Sequence, residues 1–168
     1  MPQHPEQVEI VADCADGPAR LVEMHVRYYR REWSFGDYFR DKVAGDLAEF
    51  RSGLPDADCR LWFARRGART VGSIAIDGRR AAAQGAHLRW FIVDDSIRGT
   101  GTGARLIDEA LAFCAERGFP SVYLWTFAGL DAARRLYEAR GFALVEETEA
   151  ATWGASVREQ RFLRPSPR

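Results

Sequence analysis

The chain has 168 residues, 46% hydrophobic and 29% charged, and its 24 basic and 24 acidic side chains cancel. That size and composition suit one globular domain with its own core, and balanced charge gives no basic footprint for nucleic acid or a membrane surface. No apolar run reaches the roughly 20 residues of a membrane span, MPQHPEQVEIVAD lacks a charged-then-apolar leader, and Cys14, Cys59 and Cys114 lack the spacing of a disulfide framework or zinc site, so a cytoplasmic protein without a metal is expected.

Residues 8–14 (VEIVADC) read as a short strand. A helix follows over 18–31, with Pro18 suited to its first turn and Leu21, Met24, His25, Tyr28 and Tyr29 on one side. A second helix spans about 37–51, with Phe39, Val43, Leu47 and Phe50 as its stripe. Strands 60–66 and 70–76 flank a Gly-Ala turn and read as a hairpin, and 87–93 (HLRWFIV) is a longer strand. A helix over 102–117 ends at Gly118, and Cys114 shares its apolar stripe with Ile107, Ala110 and Leu111. Residues 121–125 form a buried strand, Asp131 caps a helix running to Arg140 and ended by Gly141, and strands 142–147 and 156–163 close the chain. The tails MPQHPEQ and RPSPR hold most of the prolines and are expected to fray. The order β-α-α-β-β-β-α-β-α-β-β predicts one mixed α/β domain, with an ordered core over about 8–163.

Residues 94–104, which follow the strand at 87–93 and run into the helix at 102, read DDSIRGTGTGA. A P-loop would need Gly-Lys-Ser/Thr at its end, and here Gly103-Ala104-Arg105 stands instead. Gly99, Gly101 and Ala104 fit a dinucleotide fingerprint. However, Asp94 to Arg98 separate the loop from the strand, no acidic residue ends the next strand, and no βαβ series begins here. The third reading is a pyrophosphate cradle: backbone N–H groups and a helix N-terminus face the anion, glycines let the backbone approach, and Arg98 adds a charged contact or pins the loop. An ordinary glycine-rich turn fits the loop alone as well.

Ile92 to Gly103 (IVDDSIRGTGTG) resembles the acyl-CoA motif of the GNAT superfamily of N-acetyltransferases, commonly V-x-P-x-x-R-G-x-G-x-G/A. Ala133 to Phe142 (ARRLYEARGF) resembles the superfamily's second signature, A-x-x-L-Y-x-x-x-G-F. Tyr29 to Phe35, Leu124-Trp125-Thr126, Ala132-Ala133-Arg134 and the Trp153-Gly154 region are similar to the acetyltransferase half of MarR-type regulator–acetyltransferase fusions. Asp95 stands where the motif has proline, and Leu130 where relatives carry asparagine. The resemblance implies a mostly antiparallel mixed sheet flanked by about four helices. It implies acetyl-CoA as co-substrate and direct transfer of its acyl group to a primary amine of a small molecule or of a peptide or protein. A homodimer is left open.

By the same resemblance, Phe91, Ile92 and Val93 offer backbone groups to the acyl oxyanion and the pantetheine arm. Arg98, Gly99, Thr100, Gly101, Thr102, Gly103 and Ala104 hold the pyrophosphate, and Tyr137 is the general acid that protonates the departing thiolate. Its ordinary pKa of about 10 keeps it protonated near neutrality. The strand before the loop, GAHLRW, holds no carboxylate, so His87, His25, Glu32 or a water is left as the base. Trp33 and Phe35, with Tyr38 and Phe39, are expected to wall the acceptor site or to pack the loop down. A non-catalytic acyl-CoA-binding module is the alternative function, and a nicotinamide-dependent enzyme the more remote one.

Overall fold

The computed structural model describes residues 7–151 and 156–167. The elements are β1 (Val8–Val11), α1 (Gly17–Trp33), α2 (Asp37–Ser52), β2 (Cys59–Arg66), β3 (Arg69–Asp77), α3 (Ala81–Gln84), β4 (Ala86–Val93), α4 (Thr102–Arg117), β5 (Ser121–Phe127), α5 (Asp131–Glu138), β6 (Ala143–Ala150) and β7 (Val157–Pro165). All seven strands lie in one sheet, ordered β1-β2-β3-β4-β5-β7-β6. Every neighbouring pair is antiparallel except β4 and β5.

The period-two alternation of strands splits the core into two apolar clusters. Along β2, Leu61 and Phe63 join Leu21, Phe39, Val43, Leu47 and Phe50 from α1 and α2. Trp62 and Ala64 point the other way and join Leu106, Ile107, Ala110, Leu111 and Cys114 of α4. Phe50, Phe63, Ile74, Leu106 and Phe162 are fully buried, and each such side chain contributes about 1.5–3 kcal/mol relative to exposure.

Pro18 sits in the first turn of α1, and Gly118 ends α4 in the left-handed region at φ 69°. Several boundaries differ from the sequence reading. β1 stops at Val11. The Asp16 carboxylate ahead of α1 accepts instead from the Thr70 N–H and hydroxyl at 3.0 and 2.8 Å, tying α1 to β3. The α5 cap position is Leu130 rather than Asp131, and α5 ends at Glu138. The short α3 had no periodicity to reveal it. The carboxyl-terminal tail is not frayed where it is described. β7 runs to Pro165, the Ser166 N–H donates to the Pro120 carbonyl at 3.0 Å, and its hydroxyl donates to that of Phe119 at 2.7 Å. The Trp153-Gly154 region lies outside the described residues.

Candidate functional site

β4 and β5 pair only at Ala86–Val122 and His87–Tyr123. Beyond those pairs the two parallel strands diverge, and a V opens between them. Its β4 arm carries a bulge. Ser73 is opposite Ile92 and Ala75 opposite Arg89, so Trp90 and Phe91 together face the single residue between. Trp90 has a φ of 49°, unusual for a residue with a side chain. The Ser73 hydroxyl, buried in β3, donates to the Trp90 carbonyl at 2.7 Å.

This extra residue reverses the facing of the strand. Ahead of it, Ala86 and Leu88 belong to the α4-side cluster; after it, Phe91 and Val93 pack there. Phe91 thereby meets Tyr137 of α5, with ring centroids 6.0 Å apart at 62°. Tyr137 is 5% exposed and also contacts Phe142 and Phe162. Burial, and then the nearby Tyr29 phenol, hold its pKa well above the ordinary tyrosine value, so it stays a proton donor.

At the mouth of the V, Asp94 accepts from the Ser96 N–H at 2.9 Å and from Arg20 at 3.2 Å, which shapes the turn over 95–97. Arg98 bonds Asp95 at 2.9 Å and lies over the Tyr28 ring at 4.9 Å. Arg31 of α1 also bonds Asp95, and its Nε donates to Glu32 at 2.8 Å. Gly99 and Gly101 have φ of 76° and 83°, and a Cβ at either would enter open space. Gly101 occupies the cap position of α4 and has no side chain to cap it. The N–H groups of the first turn, Thr102 to Ala104, therefore open toward that space. The chain thus places an uncapped helix N-terminus beside two glycines that only glycine satisfies without strain, an arrangement that fits an anion such as a pyrophosphate. A cleft of about 350 Å³ adjoins it under α1, lined by Met24, Tyr28, Ile92, Val93 and Arg98 among others.

The base candidates do not converge on one point. His25 is buried in α1. Its Nδ1–H donates to the Leu21 carbonyl at 2.8 Å, and burial lowers its pKa to about 4. His87 sits where β4 and β5 are still paired, stacked on Tyr123 with centroids 4.6 Å apart, and burial lowers its pKa to about 4 as well. Both imidazoles are neutral and weakly basic at pH 7. Glu32 is engaged with Arg31 at the end of α1.

Phe35 is 2% exposed and stacks on Tyr29 at 5.8 Å, while Trp33 lies half-buried against Phe127 at 5.9 Å. Phe35 and Phe39 thus pack the α1–α2 connection down, Trp33 packs partly buried against the same cluster, and Tyr38 is exposed. The sequence reading predicts the strand at 156–163 but gives no role to Glu159 and Arg161 of β7, which lie opposite Phe127 and Trp125. Only the strand pairing reveals those neighbours. Among the described residues, no group of three or more His, Cys, Asp or Glu side chains is placed to hold a metal ion.

Comparison with known proteins gives the same frame. Residues 19–142 match the family model described as the acetyltransferase (GNAT) family. The chain is 30% identical over 136 residues to N-acetylaspartate synthetase of Danio rerio, covering 80% of this chain and 48% of that protein, so it spans about half the length of that relative. A GNAT-family acetyltransferase from Staphylococcus aureus Mu50 shares the fold with a TM-score of 0.75 at 18% identity, over 95% of this chain and 99% of that one. So does yncA of Salmonella typhimurium, solved with its cofactor acetyl-CoA, with a TM-score of 0.72 at 11% identity over 96% and 95% of the two chains.

Proposed function

The chain belongs to the acetyltransferase (GNAT) family, and from that premise we propose that it moves the acetyl group of acetyl-CoA directly to a primary amine in a ternary complex. The observation that carries this reading is the uncapped α4 N-terminus with Gly99 and Gly101 at positive φ, placed at the mouth of the β4–β5 gap. Acetyl-CoA supplies the thioester whose acyl carbon the amine attacks. The backbone N–H groups of residues 99–104 hold the pyrophosphate, with Arg98 pinning the loop through Asp95. The backbone of Phe91, Ile92 and Val93, on the arm of β4 that β5 does not pair, lines the pantetheine arm and stabilises negative charge on the acyl oxygen.

Tyr137 donates its hydroxyl proton to the leaving sulfur. Its contact with Phe91 beside the gap supports that role, and burial keeps the hydroxyl protonated and available to donate. The amine loses its proton to water, with His87, His25 and Glu32 as the side-chain candidates. The two lowered imidazole pKa values favour a water-mediated route. Trp33 and the Phe35 cluster behind it flank the acceptor side. A small-molecule amine is the first acceptor class to examine, because the relative's name specifies an N-acetylated small molecule.

The acetyltransferase half of MarR-type fusions is the proposed relation within the family, supported by residues 29–35 and 124–126. No helix among the described residues is long and apolar enough to cross a membrane, and a cytoplasmic setting is proposed with it. The test is calorimetric titration with acetyl-CoA and, as control, NADH, followed by free-thiol release with an amine panel. Acetyl-CoA binding with amine-dependent thiol release supports the reading. Binding without release from any amine would favour a non-catalytic acyl-CoA module.

A further inference from the structure

The antiparallel pairing of β5 and β7 sets Tyr123 beside Leu163, Trp125 beside Arg161 and Phe127 beside Glu159. β6 extends the rows, with Glu146 opposite Arg161 and Thr148 opposite Glu159. Phe127 and Val157 belong to the cluster under α1 and α2, and Phe162 to the α4-side cluster. Period two then turns Val157, Glu159 and Arg161 to the α1–α2 side of the sheet. This side is open at β5, where Trp125 is 39% exposed.

The charges of β7 are treated differently on its two faces. On the far face, Arg158 bonds Glu147 at 3.2 Å and lies 3.8 Å from Glu149, and the Gln160 amide donates to Glu147 at 2.7 Å. On the open face, neither Glu159 nor Arg161 has an ion-pair partner among the described residues. Arg161 lies over the Tyr123 ring at 4.9 Å. Both side chains are half-buried, and leaving a half-buried charge without a counter-ion is unfavourable unless something else completes it.

We propose that Glu159 and Arg161 read the two ends of a free α-amino acid, Glu159 taking the ammonium group and Arg161 the carboxylate. This rests on the acetyltransferase reading above. The two residues are two apart on one strand face, about 6.6 Å along the strand, so their side chains can close on a molecule bearing opposite charges on one carbon. The order is also the useful one. Glu159 stands beside Phe127, at the end of β5 farthest from the Ala86–Val122 and His87–Tyr123 pairs, so the amine end lies at the open side of the V. Arg161 stands further back, and its planar fork suits a carboxylate. A simple alkylamine lacks the group that Arg161 reads, and so does the terminal residue of a peptide.

The test is binding, which needs no turnover. The twenty L-amino acids are titrated calorimetrically into protein saturated with CoA, followed by the methyl ester and the decarboxylated amine of the tightest binder. The same set is run on Arg161→Ala, Glu159→Gln and the far-face control Arg158→Ala, with circular dichroism to verify folding. The expected result is amino-acid binding in the wild type, at least about tenfold weaker for the ester and amine and in both open-face variants. Arg158→Ala is unchanged, and Arg161→Ala no longer separates acid from ester. Absence of binding by any amino acid, an ester that binds as well as its acid, or undiminished affinity in Arg161→Ala overturns the inference; where Arg161→Ala does not fold, Arg161→Gln takes its place. Loss of the enzymatic reading alone would appear differently, as amino-acid binding without thiol release from acetyl-CoA.

Discussion

The Ser73 hydroxyl donates to the Trp90 carbonyl at 2.7 Å, at the point where β3 and β4 slip register. That bond fixes the bulge, and the bulge decides that Phe91 rather than its neighbours meets Tyr137. Ser73→Ala leaves a partly buried carbonyl without its donor and is expected to cost about 1–2 kcal/mol of stability. Turnover falls with it, because the unpaired arm of β4 loses its setting. Urea unfolding and steady-state kinetics on the same preparation check both effects; unchanged stability would show that the bulge holds itself.

Tyr137→Phe removes one hydroxyl from a packed aromatic site. Turnover is expected to drop at least roughly tenfold, the lower side of general-acid effects, with little change in acetyl-CoA affinity. Because the folded phenol stays protonated well above its ordinary pKa, Tyr137 imposes no fall in kcat as pH rises to about 10. An unaltered kcat in the variant would remove Tyr137 from the acid role.

Gly101→Val places a β-branched residue at a φ of 83°. Left-handed backbone costs such a residue at least about 1–2 kcal/mol, and the new side chain projects over the N–H groups of α4. Acetyl-CoA affinity is expected to fall at least about tenfold while circular dichroism is retained. Gly118→Ala, at a φ of 69° at the other end of the same helix, carries strain of the same kind and leaves affinity intact. Equal loss of affinity in the two variants would mean that the effect is strain and not contact.

His25 and His87 make stability depend on pH. In the unfolded chain both imidazoles take a proton near pH 6.5, and in the folded chain only near 4. Between those values the unfolded state binds more protons, so unfolding free energy rises with pH and falls on acidification. For His25 alone, the loss from pH 7 to 5 is on the order of 2 kcal/mol. His25→Gln should flatten the slope measured by urea unfolding across that window. An equally steep slope in the variant would point to other groups.

Much of the fold is legible because its cues are local. The apolar stripe of α2, Phe39, Val43, Leu47 and Phe50, recurs at helical spacing, and all four are buried in one cluster. Gly118 ends α4 where the sequence places a stop. α3 escapes because Ala81 to Gln84 is shorter than any readable period. β6 runs to Ala150, past the expected end at 147, because its glutamates and threonine face water and do not alternate in polarity. The glycine loop is legible as a motif, and its positive φ angles are consistent with its composition. The Trp90 bulge and the facing of Glu159 and Arg161 are not legible, since each depends on a partner strand distant in sequence.

Among the described residues, two ladder pairs, Ala86–Val122 and His87–Tyr123, join β4 to β5. Mechanically, β1 to β4 and β5, β7 and β6 are two panels sharing a short hinge. Under the proposed function, an acyl-CoA arm laid in the gap would touch both panels and serve as the missing strand between them. The donor of the acetyl group is then also a structural member, a keystone whose presence stiffens the far panel. Binding at 100 times Kd adds about 2.7 kcal/mol to the folded state. That gain should appear as slowed amide exchange in β5 and β7, so the enzyme's rigidity follows the supply of its own substrate.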